Sequence, residues 1–433
     1  IAIDGGTIMS VESDATPRPA DRRAGVGLPA PANLHSHAFQ RGMAGLAEVR
    51  GPAADNFWTW REVMYRFLGA MTPDDVEAVT AYAYVEMLET GFGRVGEFHY
   101  LHHDPDGRPY ARRGEMAERI VAAASTAGIG LTLLPVFYAH ASFGGLPPTA
   151  GQRRFISDLD GFAELVAQSR VAGSALRGFS LGVAPHSLRA ATPGELSVVA
   201  VMAGVGPIHM HIAEQTKEVE DCVAWSGLRP VEWLLRNAPV DSRWCLIHAT
   251  HMSEAETAGL AATGAVAGLC PVTEANLGDG IFNGAAWIAL GGAFGVGTDS
   301  NINIGLAAEL RQFEYAQRLR HRARNVIADR EGMSTGRSLF DRSLAGGAAA
   351  LGAPVSALAA GAPADIVALD ADHPSIAGRH GDALLDGWIF GSDRGLVTSV
   401  WNRGAEVVAN GRHVRREPIE GAYRRTIRRL LAL

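Results

Sequence analysis

The chain has only three cysteines, Cys222, Cys245 and Cys270, and no CxxC pair. That leaves no disulfide framework and fits a reducing compartment. No apolar run reaches the roughly 18 residues of a membrane span, so no membrane partner is expected. A basic excess is missing as well. Lys and Arg number 39 against 46 Asp and Glu, a formal net charge of −7. Nucleic acid, which asks for a basic face, is not the expected partner. A small anionic ligand is compatible with this charge, because a few local arginines suffice to hold it. No secretory leader is visible, and a cytoplasmic location is expected. The chain opens on Ile1, not Met, and a shortened N-terminus is expected.

What is present is a globular composition, 47% hydrophobic and 20% charged, able to bury a large core. The 433 residues suggest two or three domains by length alone, but barrels of this size run as one. From residue 31 onward, short β-branched or Gly-rich runs alternate with longer amphipathic segments, the pattern of βα units on a parallel sheet. Eight strands are expected, at 28–37, 94–100, 129–138, 178–186, 207–214, 244–250, 266–273 and 293–300. The expected fold class is therefore α/β, a (β/α)₈ barrel over residues 31–340. Thr72-Pro73-Asp74-Asp75 opens a helix that stops at Gly91, and Thr192-Pro193-Gly194-Glu195 opens another. A charged helix over about 305–327 reads as a solvated face. Segment 344–354 reads as a small-residue helix. Segments 361–370, 395–404 and 405–414 read as strands, with a tight turn at Asn410-Gly411. Residues 1–30 and 341–433 are expected to form a small β-sandwich-like domain with a C-terminal helix.

The chemistry lies in where polar residues fall on those strands. The first strand ends in His35-Ser36-His37, and alternate residues face one side. The fifth carries His209 and His211, with Glu214 three residues on. The sixth carries His248, followed by His251, and the eighth ends in Asp299. Taken singly, each has a plain structural reading: His248 as a core histidine, Asp299 as a helix cap. Together they fall at the C-terminal ends of their strands, and in a barrel those ends converge on the face that carries active sites. His35, His37, His211 and Asp299 are the expected ligands of one divalent ion, with zinc the default. A bound ion lowers the pKa of its water toward neutrality. Glu214 is placed to shuttle protons and His248 to orient the water or stabilise developing charge; Asp299 can also accept a proton. The fourth strand ends in Ala184-Pro185-His186 and offers no lysine to bridge two metals, so a single ion is expected. His99, His102 and His103 suggest a second metal site or, as the preferred reading, a strand and its loop. Cys270 reads as a buried apolar residue, and Trp58 and Trp60 as core or lid packing.

HxH on the first strand, His on the fifth and sixth and Asp on the eighth resemble the amidohydrolase superfamily. His211-Ile212-Ala213-Glu214 resembles the HxxE of its mononuclear deaminase branch. Three longer runs, Asn33 to Arg41, 96–107 and 273–282, resemble the family of N-formimidoyl-L-glutamate deiminases. That resemblance spans about residue 28 to the end. It implies attack of metal-bound hydroxide on a formimidoyl carbon, yielding N-formyl-L-glutamate and ammonia in histidine degradation. It implies the same four ligands, with Glu214, His248 and Asp299 as catalytic residues. It further implies substrate contacts at Gln40, Arg61, Tyr100, His186 and Arg189, and a homodimer. A substrate with two carboxylates suits Arg61 and Arg189, whose guanidinium forks grip carboxylates in two-pronged fashion. Two other readings compete. One is a deaminase or chlorohydrolase of the same superfamily acting on a heterocycle, which needs an aromatic or amide-lined pocket. The other is a barrel that only binds ligands, for which Glu214 and His248 would be superfluous.

Overall fold

The structure, a computed structural model, describes every residue except 20, 52–54, 393, 394 and 433. All eight expected strands are found. Ala32–Ser36, Arg94–His99 and Gly130–Phe137 pair in parallel, and two short pieces, Ser180–Leu181 and Ala184–Pro185, continue the order against Gly130–Phe137. Ile208–Ile212, Trp244–His248, Val266–Leu269 and Ala293–Val296 form a second parallel sheet. Parallel bridges join the two sheets at both seams, Val183 to Ile208 and Ser36 to Asp299. Pairing therefore runs from the first strand round to the eighth and back. The strands bearing His35, His211 and His248 are buried throughout, as strands covered on both faces must be.

The helices follow their local signals. Pro73–Glu89 starts in a reciprocal cap, Thr72 Oγ1 accepting from Asp75 N (3.3 Å) and Asp75 Oδ2 accepting from Thr72 N (2.8 Å). Pro193–Met202 has the same device between Thr192 and Glu195. The helix expected over 305–327 is shorter, Leu306–His321. Arg322 turns left-handed at φ 51°, and the chain folds back so that Glu314 accepts the backbone N–H groups of Val326 and Ile327, both at 3.0 Å. Its charges are not simply a solvated face, since Glu309 and Glu314 are fully buried. The helix expected at 344–354 begins earlier, as Thr335–Ala350.

The terminal segments meet. Val26–Pro29 joins Ile366–Leu369, Val397–Asn402, Ala405–Ala409 and Arg412–His413 in one five-stranded antiparallel sheet. Asn410 and Gly411 turn with φ 52° and 73°, the positive pair that a two-residue hairpin requires. Ala2–Asp4 and Thr7–Ser10 form a separate hairpin. A last helix, Arg416–Leu431, stacks Tyr423 on Tyr82 of Pro73–Glu89 at 4.1 Å.

Candidate metal centre and catalytic cavity

His35 and His37 end the first parallel strand, His211 sits near the end of the fifth, and Asp299 lies just past the eighth. The pairing just described brings them together. One ligand-type atom from each lies within 4.8 Å of all the others, and all four residues are buried. His35 Nε2 and His37 Nε2 stand 3.4 and 3.2 Å from Asp299 Oδ1, and His211 Nε2 stands 3.2 Å from His35 Nε2. Ligand atoms about 2.0–2.2 Å from one ion in tetrahedral array lie about 3.3–3.6 Å apart, so these spacings suit a common centre. The tautomers suit it too. Carbonyl oxygens of Phe98 and His186 lie 2.8 and 3.1 Å from the Nδ1 atoms of His37 and His211. Each Nδ1 thus donates outward and leaves an Nε2 lone pair facing in. Burial pushes His35 down to about 3 and His211 well below its ordinary value, keeping both neutral as ligation demands. The donor set fits a divalent ion.

The backbone at these strand ends is unusual. Ala213, His248, Ala249, Asp299 and Asn301 are non-glycine residues with positive φ, between 46° and 68°. Such conformations cost on the order of 1–3 kcal/mol each and persist where surroundings over-determine them. Around Asp299 the surroundings are a buried amide network. Asn33 Nδ2 donates to Thr298 Oγ1 (2.6 Å), Thr298 N donates to Asn33 Oδ1 (3.1 Å), and Asn301 Nδ2 donates to Ser36 Oγ (3.1 Å). Backbone bonds His37 N to Asp299 O (2.8 Å) and Asp299 N to His35 O (3.0 Å) complete the lock.

Beside the cluster lies a cavity of about 540 Å³, open to solvent. Its wall includes His37, His211, Asp299, Glu214 and His248, and all five expected substrate contacts, Gln40, Arg61, Tyr100, His186 and Arg189. Glu214 Oε1 is 3.9 Å and Asp299 Oδ2 is 3.8 Å from His248 Nε2. Burial raises the Glu214 carboxyl above its usual range, with Glu218 and Asp299 adding to the rise and His248 and Arg189 opposing it. Burial alone would lower His248, but Glu214, Glu274 and Asp299 outweigh it and lift the ring to about 10; a bound cation would oppose that rise. Gln40 Nε2 donates to Tyr100 Oη (2.7 Å) and leaves its Oε1 without a partner. The Nε atoms of Arg61 and Arg189 are likewise buried and unpartnered. Both guanidinium groups lie against Trp58, at 4.5 and 5.6 Å from its ring centre.

Other candidates are drawn elsewhere. His209 Nε2 pairs with Ala350 O (2.7 Å) and His251 Nε2 with Asp279 O (2.8 Å). His99, His102 and His103 each direct Nε2 to a backbone carbonyl, of Leu101, Val136 and Ile156. They form no metal-type group among the described residues. Cys270 does lie near His248 and Asp299, but burial holds its thiol well above the ordinary range, so it stays protonated. Sequence reasoning missed the aromatic wall of Phe57, Tyr65, Tyr138 and Phe155. It also missed Glu274 and Glu218, which grip His248 and the Glu214 backbone.

Residues 27–407 match the amidohydrolase family, and the chain belongs to it. It is a metal-dependent hydrolase acting on C–N bonds. A formimidoylglutamate deiminase from Pseudomonas aeruginosa is 50% identical over 428 residues, 98% of this chain and 94% of that protein. The crystal structure of an amidohydrolase from Brucella melitensis superposes with a TM-score of 0.96 at 58% identity, covering 99% of this chain and 95% of its own. An adenosine deaminase from Xanthomonas campestris with bound zinc shares the fold, with a TM-score of 0.79 at 22% identity, over 94% of this chain and 86% of its own.

Proposed function

We propose that this chain hydrolyses N-formimidoyl-L-glutamate to N-formyl-L-glutamate and ammonia, a step of histidine degradation. The observation that carries the reading is the pair Arg61 and Arg189. Each has an unpartnered buried Nε, and both line the cavity that holds Glu214 and His248. A substrate with two carboxylates would satisfy those donors. The relationship to the Pseudomonas deiminase points the same way. We read the ring of parallel strands as a (β/α)₈ barrel over residues 31–340 and the antiparallel sheet as a small domain from 1–30 and 341–433. A cytoplasmic homodimer completes the proposal.

His35, His37, His211 and Asp299 would hold a single divalent ion, zinc by its preference for this donor set. When bound, the ion supplies a Lewis acid that brings the pKa of water toward neutrality. Asp299 accepts a proton from the attacking water through its free oxygen. Glu214, kept protonatable by burial, relays to the imino nitrogen, with Asp299, the two protons that the water gives up, so this nitrogen departs as ammonia and the water's oxygen stays on the carbon as the formyl group. His248 directs Nε2 toward Glu214 and Asp299, where it can hydrogen-bond the water's oxygen as that oxygen adds to the formimidoyl carbon. Gln40, Tyr100 and His186 orient the chain of the substrate, and the two arginines hold its carboxylates.

The aromatic wall favours a second reading, deamination of a heterocycle. An ammonia-release screen separates the two. Purified, metal-analysed protein is expected to release ammonia from N-formimidoyl-L-glutamate and far less from purine and triazine substrates. No release from the formimidoyl compound by metal-loaded protein would remove the substrate assignment.

A further inference from the structure

His248 has a single hydrogen-bond partner for its ring among the described residues. Its Nδ1 lies 3.2 Å from Glu274 Oε1. On the other side, Nε2 is 3.9 Å from Glu214 Oε1 and 3.8 Å from Asp299 Oδ2, both too long to fix the ring by hydrogen bonding. Glu274 is itself held. It lies in the first turn of the helix Pro271–Leu277, its N–H donates to Cys270 O (2.9 Å), and the same Oε1 accepts from Cys270 N (2.8 Å). The carboxylate is therefore a fixed post, buried at 6% exposure. The His248 backbone is fixed independently, at φ 68°, with Ala249 N donating to Ile212 O (3.1 Å). The ring stacks on ligand-type His211 at 5.6 Å and 12°.

We infer that Glu274 is a positioning residue, gripping His248 at Nδ1 so that Nε2 stays directed at Glu214 and Asp299. With Nδ1–H committed to the carboxylate, rotation about χ2 would break the ring's one hydrogen bond and strand a buried negative charge. The residue acts through His248 and touches no substrate. The logic is that of an outer partner holding a catalytic imidazole in one tautomer and orientation. The inference rests on the deiminase reading only for the substrate used in the kinetic assay.

The test is a double-mutant cycle. Glu274→Ala is expected to lower kcat by about 10- to 100-fold, the range typical of such outer partners. KM and bound metal per chain should stay close to wild type, and Tm should fall by only a few degrees, since a buried partner of His248 and of Cys270 N is lost. Glu274→Gln, which keeps an acceptor oxygen, should fall between the two. In a His248→Asn background the same Glu274→Ala change should alter kcat by less than about twofold, because the group it acts through is gone. An equal loss in both backgrounds would overturn the inference. So would a loss that follows metal content or Tm, which is what a purely helix-capping role predicts. If Glu274→Ala does not fold, Glu274→Gln runs the same cycle. A crystal structure of the variant reads the ring without substrate. His248 turned away from Glu214 supports the inference, and an unmoved ring refutes it. A wild type that releases no ammonia would therefore fell the substrate reading while leaving this one open to decision.

Discussion

Replacing Arg189 with Met should do two separable things. Arg189 Nη2 lies 4.0 Å from Glu218 Oε2, and the Glu218 side chain has no exposure. Its other oxygen has no partner, while Oε2 also accepts from Glu214 N at 3.1 Å. Removing one member of a buried ion pair costs about 3–5 kcal/mol, because the remaining charge is stranded. With an unfolding entropy of about 2.1 cal/mol/K per residue, each kcal/mol moves the Tm of a 433-residue chain by about 1 °C. The single variant should melt about 3–5 °C lower. The catalytic loss is distinct. A hydrogen bond to a charged group contributes about 1.5–3 kcal/mol, so kcat/KM for the dianionic substrate should fall about 10- to 150-fold. Adding Glu218→Gln separates the effects. The amide oxygen still accepts from Glu214 N but carries no charge, so the double variant should regain most of the lost Tm. Its kcat/KM should stay low. Calorimetry and an ammonia-release assay on the three proteins decide. An unchanged kcat/KM in the single variant would mean the carboxylate is held elsewhere. An unchanged Tm would mean that Glu218 does not depend on Arg189.

Glu214→Gln should leave metal content near wild type, since Glu214 lies outside the four-residue cluster, and cut kcat by about 10²-fold or more; metal analysis with single-turnover ammonia release checks it, and full activity would remove Glu214 from proton transfer. The second concerns acid. Burial lowers His99 to about 3 and His209 to about 4, so below pH about 6.5 the unfolded chain binds protons at both positions that the native chain does not. Stability should fall as pH drops from about 6.5 toward about 4, by about 1.4 kcal/mol per unit per histidine. His209→Gln keeps a donor for Ala350 O and should flatten that slope in urea titrations at pH 7 and 5; an identical slope would refute it.

The strand pattern was legible because βα alternation repeats and because each chemical residue falls at the end of an apolar run. Thr72 and Thr192 were legible as caps because a capping box is written in four consecutive residues. The end of the long helix was not. Its stop depends on Glu314 reaching residues 12 and 13 further on, a contact that no local window contains. His209 and His211 look equivalent in sequence as an HxH. Their separation, one to Ala350 O and one to the metal cluster, depends on what lies outside the strand. Glu274 sat inside a run noticed only for resemblance. Nothing in that run announces that its carboxylate turns back to Cys270 N and across to the neighbouring strand.

The left-handed residues tie these threads together. A strand that simply ended would point its last side chains alternately in and out. At His248 and Asp299 positive φ bends the chain at the strand end, and both side chains face the same cavity wall. Neither is glycine, although Asp and His, like Asn, enter that conformation more readily than other side chains. The strain is offset by backbone bonds between adjacent strands, Asp299 N to His35 O and Ala249 N to Ile212 O. The first of those bonds joins the eighth strand to the first and exists only when the parallel pairing closes on itself; the second lies within one sheet. Closure of the seam between the eighth strand and the first therefore assembles Asp299 with His35 and His37, and a variant that weakens this seam should lose bound metal before it loses helix content by circular dichroism.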